Sequence, residues 1–237
     1  MNTQPREKNI PDAEGFLDVH SIFRTIQGEG PFSGVPAVFV RLAGCNLQCP
    51  GCDTDYTSER YRWAPMNVVD EVRNMQLGGL VVITGGEPFR QNCVPLVLQL
   101  VGYGYRVQFE TNGTLPIPSE LARLNNYNVI DPVVSVVVSP KTPIMHKSAR
   151  NFPGVAFKYV LSADSVDKED GLPKRVLGMR NLKRVDRPAS YNKKVYIQPE
   201  DTGDAVRNKE NLEACVNSCL KFGYTLQLQI HKIAELA

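Results

Sequence analysis

Cys45, Cys49 and Cys52 have the spacing C-x3-C-x2-C within the run Cys45-Asn46-Leu47-Gln48-Cys49-Pro50-Gly51-Cys52. One tight loop therefore offers three thiolates, soft ligands suited to iron–sulfur clusters, zinc or copper(I). A closed structural zinc site takes four ligands. No fourth Cys or His follows nearby, and His20, His146 and His231 are scattered. A cubane cluster normally takes four thiolates, so three leave one iron open to a small molecule. A zinc knuckle completed by a distant ligand is the alternative.

Other chemistry-bearing residues fall at the ends of apolar runs. Leu80–Thr84 leads into Gly85-Gly86-Glu87-Pro88, and Tyr105–Glu110 into Thr111-Asn112-Gly113-Thr114. Val133–Val138 leads into Ser139-Pro140-Lys141, and Lys194–Ile197 into Gln198-Pro199-Glu200-Asp201. Paired glycines let backbone approach a ligand closely. Glu87 is placed to accept from an amine or to cap the following helix, and Lys141 to pair with a carboxylate.

The elements that must position these residues read as alternating strands and helices. Expected strands cover 37–42, 80–84, 105–110, 133–138, 156–161, 194–198 and 225–230, several of them continuously apolar as parallel strands are. Expected helices cover 66–76, 92–101 and 208–222, the last with Leu212, Val216, Cys219 and Leu220 at helical spacing. The alternation predicts an α/β fold, open or barrel-like. In such folds ligands bind at the carboxyl ends of strands. Four clusters on one rim imply a single large site.

Composition bounds the rest. The 237 residues carry 27 Lys+Arg against 25 Asp+Glu, so no global field favours nucleic acid or anionic lipid. No apolar run approaches a membrane span of about 20 residues. Residues 1–16 are polar and read as a loose tail, leaving 17–237 as one domain. The other cysteines, Cys93, Cys215 and Cys219, suit core packing in a reducing cytoplasm. Lys174, Arg175, Arg180, Lys183, Arg184, Arg187, Lys193 and Lys194 cluster with only Asp186 opposing them, and read as a solvated face.

The cysteine loop together with Gly85-Gly86-Glu87-Pro88 resembles the radical S-adenosylmethionine (SAM) superfamily. One departure is Gly51, since the residue before the last cysteine is commonly aromatic there. The ordered set Thr25-Ile26-Gln27-Gly28-Glu29-Gly30, Gly34–Leu42 with Arg41, and Cys52-Asp53-Thr54 narrows the likeness. With Ile83–Pro88, Glu110–Thr114, Ser139–Lys141, Gln198-Pro199 and Gln229–Lys232, it is similar to the 7-carboxy-7-deazaguanine synthase family over residues 21–237. Residues 151–194 carry no motif.

That resemblance implies a partial TIM-type barrel of mainly parallel strands, commonly homodimeric. It implies a [4Fe–4S] cluster on Cys45, Cys49 and Cys52, with SAM on the open iron and near Gly86, Ser139, Pro140, Lys141, Gln198, Pro199, Glu200 and Asp201. It implies a lyase of queuosine-type biosynthesis whose substrate is 6-carboxy-5,6,7,8-tetrahydropterin, contacted by Ile26, Gln27, Gly28, Arg41, Thr84 and Ala237. Glu110 and His231 are further substrate candidates. Thr54 matches a Mg2+ position, and an external one-electron donor such as flavodoxin is implied. Two rival readings share some of these features: a glycyl-radical-enzyme activase and a zinc-stabilised nucleic-acid-binding protein.

Overall fold

Continuously apolar runs in this chain become parallel strands covered on both faces. The computed structural model describes residues 2–10, 12, 15–75, 79–125, 131–179, 184–189 and 194–236. Its strands are β1 (Leu17–Ile26), β2 (Pro36–Leu42), β3 (Tyr61–Trp63), β4 (Leu80–Gly85) and β5 (Arg106–Thr111), followed by β6 (Val134–Val138), β7 (Ala156–Leu161), β8 (Lys194–Pro199) and β9 (Thr225–Leu226). They form one nine-stranded sheet, β3-β1-β2-β4-β5-β6-β7-β8-β9. From β2 to β9 every neighbouring pair is parallel, while β1 pairs antiparallel with β2 and β3. The order runs edge to edge without closing, so the architecture is an open, partial barrel.

The helices are α1 (Pro65–Met75), α2 (Val94–Gly102), α3 (Ser119–Arg123), α4 (Lys147–Arg150), α5 (Ala205–Phe222) and α6 (Ile230–Ile233). Side chains alternate across a strand, and here the alternation separates two kinds of interior. Val38, Val40, Val81, Ile83, Val107 and Phe109 join the main core with Val68, Val72, Leu96 and Leu100 of α1 and α2. The opposite, concave face begins apolar, with Ala37, Leu80, Val82 and Phe39. Two residues further along the same face stand Arg41, Thr84 and Glu110, with Arg41 paired in register to Thr84. The concave face therefore changes from apolar to polar toward the carboxyl ends of its strands.

Several expectations are corrected. β9 stops at Leu226, and the residues expected to extend it to 230 turn away into α6. β1 and β3 were not expected: β1 mixes His20 and Arg24 into its apolar residues and is largely half-buried, which hides a strand period. Helix α5 buries Asn211, Cys215 and Ser218, leaving Leu220 82% exposed. Those polar residues enter the interface because each is satisfied: Asn211 Nδ2 donates to the Glu200 carbonyl at 2.8 Å, and Ser218 Oγ to the Gly171 carbonyl at 2.7 Å.

Residues 2–10, expected as part of a loose tail, instead lie along the cysteine loop. Arg6 bridges Cys45 in parallel, and the Glu7 N–H donates to the Cys45 carbonyl at 2.7 Å. The basic stretch is also opposed by more than Asp186: Arg187 Nε bonds Asp170 Oδ2 at 2.7 Å, and Arg184 reaches both Asp167 and Asp170. Arg180, Lys183 and Lys193 lie outside the described residues. Among the described residues no helix is long and apolar enough to cross a membrane.

Candidate active site

Strand β2 delivers the chain through Ala43 and Gly44 into the cysteine loop. The Gly85-Gly86 turn after β4 docks directly on its base: Gly86 N–H donates to the Leu42 carbonyl at 3.2 Å and Glu87 N–H to the Gly44 carbonyl at 3.1 Å. A Cβ on Gly86 would overlap the Gly44 carbonyl and lie 2.8 Å from Cys45 Cβ, so this approach requires glycine. Glu87 itself is fully buried. It accepts from Phe89 N at 3.1 Å, Thr111 Oγ1 at 2.7 Å and Asn112 N at 2.8 Å. Burial pushes its carboxyl up to about 7. Its role is therefore to brace the turn against the end of β5, the capping alternative of the sequence reading.

A cavity of about 350 Å³ opens at the carboxyl ends of the strands, and Cys45, Cys49 and Cys52 line it. Burial pushes the Cys45 thiol up to about 12 and raises Cys49 and Cys52 as well. Metal binding to such thiols must release their protons. Gly51 N–H donates to the Leu177 carbonyl at 3.0 Å, and a Cβ there would lie 3.3 Å from Leu177 backbone. The departure at Gly51 has this cause: the chain near Leu177, itself at φ 48°, runs against the loop and lines the same cavity.

The deeper wall is polar. Gln27 Nε2 donates to Glu110 Oε1 at 2.9 Å, and Thr84 Oγ1 to Glu110 Oε2 at 3.1 Å. Gln27 Oε1 accepts from Glu29 N at 3.0 Å, so most of its amide is already committed. Burial raises the Glu110 carboxyl. Lys158 of β7 donates to the Glu29 carboxylate, to which Gln229 Nε2 also donates at 3.1 Å. Burial opposes ionisation of Glu29, but Lys158 and Gln229 hold its carboxyl below the ordinary value. Arg41 reaches the same cavity with its guanidinium 5.2 Å from the Phe23 ring centroid and with a buried Nε that has no hydrogen-bond partner.

Ile26, Gly86, Ser139, Lys141, Gln198, Pro199, Asp201, Thr54 and His231 also line the cavity. Lys141 Nζ donates to Ser139 Oγ at 2.8 Å, and burial, with Lys158 adding to it, pushes Lys141 down to about 8. Thr54 Oγ1 donates to Asp53 Oδ1 at 3.3 Å. Three of the expected positions stand behind the wall. The His231 ring covers Gly28, Pro140 is buried, and Glu200 is tied to β7 through its N–H to the Leu161 carbonyl at 2.9 Å. Ala237 lies outside the described residues.

The donor set fits a SAM-bound cluster. Two buried thiols, Cys45 and Cys49, and the half-buried Cys52 line a cavity that also holds an unpartnered, buried Gln198 Oε1 and the half-buried Lys141 ammonium. Among the described residues no three His, Cys, Asp or Glu side chains gather as a single-ion site. Sequence reasoning missed Lys158, Asp53, Gln229 and Lys232 as cavity residues. Lys158 did leave a signal: it is the single charge in the strand Ala-Phe-Lys-Tyr-Val-Leu.

Comparison with known proteins agrees with this geometry. Residues 40–163 match the radical SAM superfamily. The 7-carboxy-7-deazaguanine synthase of Rhodospirillum rubrum is 41% identical over 238 residues, covering 93% of each chain. That of Rickettsia prowazekii is 36% identical, covering 91% of this chain and 87% of the relative. The crystal structure of QueE from Escherichia coli superposes with a TM-score of 0.64 at 22% identity, covering 90% of this chain and 94% of that one, and so shares the fold. Neither rival reading is favoured by these relatives. The chain is an enzyme of the radical SAM superfamily and belongs to the 7-carboxy-7-deazaguanine synthase family.

Proposed function

We propose that this protein converts 6-carboxy-5,6,7,8-tetrahydropterin to 7-carboxy-7-deazaguanine, with ring contraction and loss of ammonia. The observation that carries the reading is Arg41: a cavity-lining guanidinium with an unpartnered buried Nε, in register with Thr84 on the neighbouring strand and four residues before the first cluster cysteine. Guanidinium holds a carboxylate in a bidentate clamp. The polar wall of Gln27, Thr84 and Glu110 supports the same reading, because a pterin edge presents both donors and acceptors.

Cys45, Cys49 and Cys52 would hold the [4Fe–4S] cluster; Gly86, Ser139, Lys141, Gln198, Pro199 and Asp201 would receive SAM, with Pro140 and Glu200 backing them from behind the wall. When bound, the cluster and SAM would together supply one-electron, radical chemistry for removing a substrate hydrogen. The protein's own part is binding and orientation. Arg41 fixes the carboxylate, and Ile26 and the Gly28 backbone shape the wall. Glu110, its carboxyl raised by burial, accepts from Gln27 and Thr84 through its two oxygens and so fixes the polar wall. His231 closes the cavity over Gly28, and Ala237 is a further proposed substrate contact.

Thr54 is the proposed Mg2+ ligand, consistent with a hard cation that takes few protein oxygens and keeps its waters. The proposal extends to a homodimer in the cytoplasm, reduced by an external one-electron donor such as flavodoxin. The test is an anaerobic assay with reconstituted protein, SAM, a reductant and 6-carboxytetrahydropterin. Formation of 7-carboxy-7-deazaguanine is expected. Cleavage of SAM with no change in the pterin would overturn the substrate assignment and leave the superfamily chemistry intact.

A further inference from the structure

The cysteine loop has almost no secondary structure of its own. Between Cys45 and Asp55 its internal bonds are Cys52 N–H to the Cys49 carbonyl at 3.1 Å and Leu47 N–H to Cys45 Sγ at 3.4 Å, with weaker turns around Cys52 and Thr54. Backbone polar groups need partners, and here residues 2–10 supply them. Asn2 N–H donates to the Pro50 carbonyl at 2.9 Å and Asn2 Nδ2 to the Cys49 carbonyl at 3.1 Å. Glu7 N–H takes the Cys45 carbonyl at 2.7 Å, and Arg6 Nε the Asn46 carbonyl at 3.2 Å. Gln4 Nε2 takes the Thr54 carbonyl at 2.9 Å, while its Oε1 accepts from Tyr56 N at 2.8 Å. Carbonyls of two of the three cluster cysteines, and of Asn46, Pro50 and Thr54, are thus held by one segment.

The far end of that segment is anchored in the core. Arg90, in the turn that follows Glu87, has a side chain only 1% exposed. Its Nη2 bonds Glu7 Oε2 at 3.1 Å and the Lys8 carbonyl at 2.5 Å, its Nε bonds the Glu7 carbonyl at 3.3 Å, and its Nη1 reaches back to the Ala43 carbonyl at 3.2 Å. A buried guanidinium is costly unless its donors are used. The segment and the Glu87 turn therefore depend on each other, with the root of the cysteine loop between them.

We propose that residues 2–10 are a strap that belongs to the cluster site: Asn2 and Gln4 are positioning residues that hold the cysteine loop against the barrel and set how long a bound cluster survives oxidant and chelator. With the strap in place, the loop opens only by breaking several bonds together. Without Asn2 and Gln4 side chains, the Thr54 carbonyl and the Tyr56 N–H turn to water, the Cys49 carbonyl keeps only its bond from Cys52 N–H, and the loop opens more often. The inference rests on the superfamily's cluster and is independent of which pterin is the substrate.

The test uses full-length, anaerobically loaded protein carrying Asn2→Ala and Gln4→Ala together. Loss of visible absorbance and release of iron are followed in air and with EDTA. Each lost hydrogen bond of ordinary strength contributes, so decay roughly tenfold faster than wild type is expected. Amide exchange at Tyr56 should quicken in the variant, while the denaturant midpoint of the cluster-free protein should stay at the wild-type value. Equal decay rates overturn the proposal, and so does faster decay accompanied by an equal loss of global stability. If the variant does not load, loaded wild-type protein is nicked by trypsin at the exposed Arg6 or Lys8; nicked protein that keeps its iron as long as intact protein overturns the proposal equally.

Discussion

Lys158 and Glu29 form an ion pair across 129 residues of chain, inside the cavity and nearly out of water. Their side chains are 13% and 10% exposed, so each charge relies on the other. Removing one partner of a buried pair leaves an uncompensated charge, at a cost of about 3–5 kcal/mol. Lys158→Ala should therefore lower unfolding stability by about that amount. Lys158→Met combined with Glu29→Gln should recover most of the loss. A denaturant-unfolding double-mutant cycle on cluster-free protein reads both; additive losses would show that the two charges act separately.

Arg41→Lys keeps the charge and gives up the planar fork. SAM cleavage without pterin should be unaffected in rate, while kcat/KM for the pterin falls by roughly tenfold or more. Unchanged kcat/KM would remove Arg41 from substrate binding.

Glu87 makes stability depend on pH. Burial raises its carboxyl from an ordinary 4.5 to about 7. In that interval the folded chain holds a proton that the unfolded chain has released, so this contribution is complete below about pH 4.5 and lost as pH rises to about 7. The loss is on the order of 3 kcal/mol across the window. Glu87→Gln should flatten this part of the stability profile of cluster-free protein, as measured by denaturant midpoints at successive pH values.

Two glycines should respond differently to a methyl group. Gly86→Ala places a Cβ against the Gly44 carbonyl and Cys45, both fixed by backbone bonds, so iron content after reconstitution should drop severalfold. Gly51→Ala meets Leu177 backbone at 3.3 Å, a distance that a small shift of the 174–178 stretch relieves. That variant should load iron normally, whereas Gly51→Phe should not. Iron quantification after anaerobic reconstitution separates the three.

Thr54→Ala removes the proposed oxygen ligand while leaving the Thr54 carbonyl bond to Gln4 available. Turnover that rises with added Mg2+ in wild type should lose that response in the variant. A wild-type Mg2+ response would discount Thr54.

Much of this architecture is legible in residue order because the physics is local. Runs such as Val134–Val138 bury both faces and announce parallel strands, and glycines beside Cys45 announce close backbone approach. What was hidden depends on distant partners. β1 reads poorly because His20 and Arg24 interrupt its apolar period, and it becomes a strand by pairing with β2. The buried face of α5 is hidden in the sequence because Asn211 and Ser218 look solvent-loving until the Glu200 and Gly171 carbonyls are placed beside them. Residues 2–10 look loose for the same reason, since most of their bonds go to the distant cysteine loop and to Arg90. Within the site, motif residues such as Arg41 and Lys141 were foreseen, while Lys158 and Gln229 needed the sheet to bring Glu29 to them.

The loop that shapes the deep wall is tied by the far end of the chain. Gln227 accepts from Gly30 N–H at 2.5 Å and donates to the Gly28 carbonyl at 3.0 Å, and Lys232 spans Asp201 at 2.9 Å and Asp53 at 3.5 Å. A chain emerging from the ribosome presents the cysteine loop long before residues 227–232 are free to make these ties. Vectorial synthesis thus separates the two events in time: the thiols are presented first, and the pterin chamber is sealed only once residues 227–232 have followed.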